Sequence, residues 1–175
     1  MKLTKRNRLI ITLIITLLVW GHILWDYFHG GIPTHYILQD GNLPGIPNWV
    51  GGIVLPFFTW LLLYRIQKRV NVPDAKDTIS LVGYRFLAAL AIAVLISIFF
   101  STSVDVIDFT MLAILGLSFV FPLYKSEYLL GWVLGSAFTF GAIIPISFGS
   151  VLALLFFVLF QLTRSIMGFV RPKLK

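Results

Sequence analysis

All three histidines of the chain and two of its seven acidic residues fall in one stretch, GHILWDYFHGGIPTHYILQD at 21–40. His22, Asp26 and His29 stand at i, i+4 and i+7. At about 100° per residue in a helix they occupy an arc of roughly 60° on one face. Neutral imidazole and carboxylate are good ligands for zinc and other divalent transition metals, and three protein ligands with one open position make a catalytic site. Such a metal lowers the pKa of its bound water towards about 7 and permits hydrolysis at neutral pH. The spacing can place His22, Asp26 and His29 round one ion, with His35 supplied by the segment that follows, and Asp26 and His35 are the candidates for the chemical step. The same residues also have a plainer use. Asp26 can hydrogen-bond His22 or His29 across one turn and tie the helix to what comes after it.

The elements that must position these groups are membrane helices. Hydrophobic residues make up 58% of the 175, charged residues 12%, and the mean hydropathy is +0.93, values outside the range of soluble domains. The apolar runs are continuous and long enough for a hydrocarbon core of about 30 Å, which takes roughly 20 residues of helix; barrel strands would alternate polar and apolar residues. Six spans are read at 9–28, 48–66, 79–100, 107–124, 127–146 and 149–170, forming one polytopic domain over 1–175. Pro145, Ser147 and Gly149 mark the turn between the last two spans, or a kink in one long element.

The 14 basic residues test this map, since cytoplasmic loops collect Lys and Arg. They lie before the first span, between the second and third, between the fourth and fifth, and at the end of the sixth, with Arg85 near the inner end of the third and snorkelling to the surface. The segments 29–47, 101–107 and 146–149 have none. Both termini are therefore expected in the cytoplasm of a cell, that is inner or plasma, membrane. The basic start resembles a secretory signal, but no small-residue cleavage site follows and it is read as retained. The net charge of +7 needs no nucleic acid; it follows from topology and attraction to anionic headgroups. No cysteine is present, so disulfides and thiolate chemistry are excluded.

On this map the histidine stretch leaves the outer end of the first helix. An Asp within a span costs about 2.5–3.5 kcal/mol at mid-helix, so the polar stripe should face the bundle interior or a wet cavity. Residues 30–49 mix Gly and Pro with apolar side chains, which implies a structured extracytoplasmic cap with a short helix over 34–39, bringing His35 and Asp40 towards the stripe. Asp105 and Asp108 suit N-terminal caps of the fourth helix. Asp74, Asp77 and Glu127 read as ordinary surface partners of cytoplasmic bases. Trp20, Trp25, Trp49, Tyr27 and Tyr36 fit an outer aromatic belt. Gly131 and Gly135 have the G-x-x-x-G spacing of close helix contact, within the chain in preference to a second copy. Pro56, Pro122 and Pro145 can kink helices.

Three function classes stay open. The first is a divalent-metal-dependent hydrolase acting on a lipid or lipid-like substrate, with zinc the expected metal. The second is a protein that captures or transports a small hydrophobic molecule, and the third is a scaffold in which the His/Asp cluster holds the cap. No histidine follows His35, which separates the chain from the alkaline-ceramidase and adiponectin-receptor-like hydrolases with their late H-x-x-x-H pair. Neither a nucleotide-binding motif nor a G-x-S-x-G elbow around Ser147 or Ser150 occurs.

Overall fold

A threonine starts each of two long helices in the computed structural model, which describes residues 2–36, 40–42, 44–73, 75–102 and 107–170. Thr4 Oγ1 accepts the Asn7 N–H at 3.1 Å and opens α1 (Lys5–Phe28). Thr78 Oγ1 accepts the Leu81 N–H at 3.2 Å and opens α3 (Ile79–Ser101). Each hydroxyl satisfies a backbone donor that has no partner inside the helix. Between them lies α2 (Trp49–Val70), and α4 (Ile107–Ser118), α5 (Ser126–Phe140) and α6 (Ile143–Val170) follow. Of these helices α1, α2, α3 and α6 are long and apolar enough to cross a membrane.

The later elements differ from expectation in their ends. The fourth helix stops at Ser118 instead of continuing to 124. Ser118 Oγ donates to the Leu115 carbonyl, the N–H groups of 119–121 close turns on Gly116 and Leu117, and Pro122 has no N–H with which to resume. The turn between the last two helices is at Gly141 and Ala142, whereas 146–149 lie inside α6. Gly141 has φ +69°, a left-handed conformation natural only to glycine. Pro145 sits in the first turn of α6, where its missing N–H costs no hydrogen bond.

The connection from α1 to α2 is a small hairpin instead of the expected helix. Thr34–Tyr36 (β1) pairs antiparallel with Gly45–Pro47 (β2), with His35 opposite Ile46. The Asn48 N–H donates to the Pro33 carbonyl at 2.9 Å and fastens the hairpin to the start of α2. The remainder of the expected helix, 37–39, lies outside the described residues.

Helices α3 and α5 make the most extensive contact and run parallel. Gly131 faces the Phe86–Leu90 turn and Gly135 the Leu90–Val94 turn, where an added Cβ would come within 2.7 Å of both Ala93 Cβ and the Leu90 carbonyl. The small-residue stripe thus meets a helix of the same chain. Helix α1 packs chiefly on α2, which also touches α5 and α6. The core runs along these seams, with Leu62, Ile66, Val82 and Leu130 towards one end and Ile15, Leu55, Val133 and Ala142 towards the other.

The first of these ends is basic. Arg8 is buried with its guanidinium 3.9 Å from the Trp60 ring centre and Nη1 donating to Gln67 Oε1 at 2.6 Å. Asn71 exchanges two hydrogen bonds with the Leu3 backbone. Glu127, 0% exposed, and Asp77, 7% exposed, are not surface groups as expected but the buried centre of an ion network. Arg69 pairs with both. Arg85 does not snorkel; its Nη1 lies 2.6 Å from Asp77 Oδ1 and 3.3 Å from Glu127 Oε1. Lys125 Nζ completes the set at 2.7 Å from Asp77 Oδ2. Burial pushes the Asp77 carboxyl up, but the hydrogen bonds and charges of Lys125 and Arg85 outweigh it and hold the pKa below the ordinary carboxylate range. The network locks α2, α3 and α5 together at this end.

Candidate functional site

The opposite end gathers the histidines. His22 and Asp26 are one turn apart near the end of α1, and His22 Nε2 lies 3.6 Å from Asp26 Oδ2, an ion-pair separation when the imidazole is protonated but too long for a hydrogen bond. The His22 ring stacks on Phe138 of α5, with centroids 4.5 Å apart. Asp26 Oδ2 is buried and has no hydrogen-bond partner.

His29 does not join them. It caps α1 outside helical geometry, its Nδ1 donates to the Trp25 carbonyl at 2.9 Å, and its exposed ring stacks on Trp25. The helix ends one residue before the stripe would have been completed. Gly30 and Gly31, with φ of +123° and +100°, then turn the chain back towards the bundle.

The hairpin carries His35 down onto the turn between α5 and α6. A Cβ on Gly141 would lie 2.6 Å from His35 Cδ2 and 3.1 Å from Nε2, so glycine is needed there for space as well as for φ. His35 Nε2 is buried without a partner. Burial pushes its pKa below the ordinary 6.5, with the negative charge of Asp26 opposing less strongly. The structure therefore brings His22 to Asp26 and leaves His35 within range of the Asp26 charge. Asp40, expected beside them, is exposed and accepts two hydrogen bonds from Asn42. The side chains of Asp105 and Asp108 lie outside the described residues, and Ser147 is exposed within α6.

Beneath His22 is a cavity of about 330 Å³ between α1, α2 and α5. Its walls are Ile15, Leu18, Val19, Leu55, Leu134 and similar apolar groups, with His22 and Asn48 at the polar end. Leu18 and Phe138 line it while remaining 68% and 75% exposed, so it opens sideways at the seam between α1 and α5. Asn48, Gly51 and Ala142 separate it from His35. The cavity thus has one imidazole and one carboxamide above an apolar lining, while Asp26 and His35 lie outside its walls. Among the described residues no three His, Asp or Glu side chains are placed to hold one metal ion.

Phe138 and Gly141 were not legible as site residues. The available signal was glycine following the FTF end of α5, since a C-terminal glycine marks a helix exit that another segment can approach closely. The chain matches no family model, no curated protein and no solved structure.

Proposed function

We propose that the chain is a polytopic protein of the cell membrane, with both termini in the cytoplasm, that captures a small amphipathic molecule from the outer leaflet. The observation that carries this reading is the laterally open apolar cavity with His22 and Asn48 at its polar end. Its volume is within the range of ligand pockets, about 300–1,000 Å³, and such pockets combine apolar walls with a few placed polar groups. A molecule already dissolved in the bilayer reaches it between α1 and α5 without crossing water. The hairpin that holds His35 acts as the roof. No nucleotide motif couples the site to an energy source.

The test is extraction and mass spectrometry of whatever co-purifies with the wild type and with Ala137→Trp, which fills the cavity. A bound amphiphile in the first and none in the second, at unchanged helix content, is the expected result. No bound molecule in either, together with no thermal shift from added lipids, would remove the reading.

The metal-dependent lipid hydrolase is the second reading, favoured by the approach of His22 to Asp26 and by the unpaired Nε2 of His35. His22 and Asp26 would supply two ligands, a third requiring a shift of His35 from its place against Gly141, and the apolar cavity would hold an acyl chain. Metal analysis separates the two readings: near-stoichiometric zinc that disappears in His22→Ala favours the hydrolase.

A further inference from the structure

Asn48 directly precedes α2, a position where asparagine normally accepts an N–H of the first helical turn. Here its side chain makes no such bond. Its backbone is already used, the N–H by the Pro33 carbonyl and the carbonyl by the Gly51 N–H. The residue is only 8% exposed and lines the cavity. Among the described residues its carboxamide has no hydrogen-bond partner, and unlike Asp26 Oδ2 and His35 Nε2 it is not sealed off. Its Oδ1 lies on the Gly141 side, where an added Cβ would be 3.3 Å away, which leaves the Nδ2 hydrogens for an incoming acceptor. His22, the other polar group of the lining, supplies the complement. The Asp26 carboxylate facing Nε2 favours the imidazole proton on that nitrogen, so Nδ1 is left as an acceptor. The described lining contains no Lys, Arg, Asp or Glu. At this end α1 and α5 finish while α2 and α6 begin, so the opposite ends of the helix dipoles offset one another. A charged head entering here would leave water with no opposite charge in the walls to meet it.

We infer that the cavity takes a single-chain amphiphile with an uncharged hydroxyl head, its oxygen accepting from Asn48 Nδ2 and its O–H donating to His22 Nδ1. This rests on the ligand-capture reading above. An ammonium only donates and a carboxylate only accepts, so each satisfies one of the two partners and strands the other. The chain descends past Leu18, Val19 and Leu55, along α1 from His22 to Ile15, about 10 Å of helical rise. A longer chain leaves through the opening between Leu18 and Phe138.

The experiment uses the full chain in nanodiscs at neutral pH and four probes of equal chain length, octanol, octane, octylamine and octanoate, each corrected for its partition into empty nanodiscs. Octanol should bind the wild type about five- to a hundredfold more tightly than octane, the range of two net hydrogen bonds. It should also bind about tenfold or more tightly than either ion. Asn48→Leu, of nearly the same shape, should abolish the preference for octanol while still binding octane. This retained binding shows that the variant is folded; should the variant not fold, the wild-type ratios decide alone. Equal affinity for octanol and octane in the wild type overturns the hydroxyl head but leaves ligand capture standing, and so does a preference for octylamine or octanoate. An undiminished preference for octanol in Asn48→Leu overturns the placement of the head at Asn48. Failure of all four probes to bind the wild type overturns ligand capture itself.

Discussion

His35 owes its chemistry to burial. Its imidazole lies against Gly141 with Nε2 unpaired, and desolvation lowers its pKa below 6.5 more than the nearby Asp26 raises it. A hairpin lifted off the bundle returns the ring to water, where it binds a proton more readily. Protonation therefore favours the undocked form. The contribution of docked His35 is fully present above the ordinary value and is lost as pH falls through and below 6.5. The titratable group whose charge reaches it is Asp26. We expect the wild type to lose thermal stability relative to His35→Gln between about pH 7 and pH 5, the interval in which histidine normally titrates. Parallel Tm profiles for the two proteins would show that His35 is not buried in the native state.

The elements were legible in proportion to how sharply their ends are marked. Helices α1 and α3 begin after Thr4 and Thr78, and α2 ends among Lys68, Arg69 and Asn71, so polar residues punctuate the apolar pattern. The turn before α6 was misplaced because Pro145 and Ser147 look like breakers, although proline is at home in a first helical turn. The hairpin was read as helix because three-residue strands leave almost no periodicity; only the pairing of His35 with Ile46 defines them. The ion network was missed for a different reason. Arg85 and Glu127 are 42 positions apart, and only the parallel packing of α3 on α5 brings them level. In the site, the shared face of His22 and Asp26 was legible, whereas the departure of His29 depended on where α1 ends. The α3–α5 seam has its own test. Gly135→Leu forces a side chain against the backbone of Leu90 and should destabilise the protein by at least about 1–3 kcal/mol in detergent. Gly21→Leu, with nothing within 4 Å of its added Cβ, serves as the control and should change little.

On the scale of the whole molecule the two ends are built differently, one closed by ions and the other left open beneath a hairpin. Glu127 is the buried acid on which Arg69 and Arg85 meet. Removing Glu127 leaves Arg69 and Arg85 with Asp77 alone, and losing one member of a buried pair costs up to about 3–5 kcal/mol. Glu127→Gln should show a loss of that order in reversible denaturation, and a loss below about 1 kcal/mol would mean that water reaches the network. This polarity also makes orientation a decisive test of function. On the proposed reading the basic end is in the cytoplasm, following the positive-inside rule, which would turn His22, Asp26 and His35 towards the outer leaflet. The chain has no cysteine, so each introduced thiol is the only one. Asn42 and Lys76 are both exposed, one in the hairpin and one between α2 and α3. An impermeant maleimide applied to intact cells should label Asn42→Cys at once, and Lys76→Cys only after the membrane is permeabilised. The reverse pattern would move the cavity to the inner leaflet, and outer-leaflet capture would then be wrong. Labelling of both thiols from outside would break the link between charge and orientation and mean that α2, although long and apolar enough to cross a membrane, does not do so.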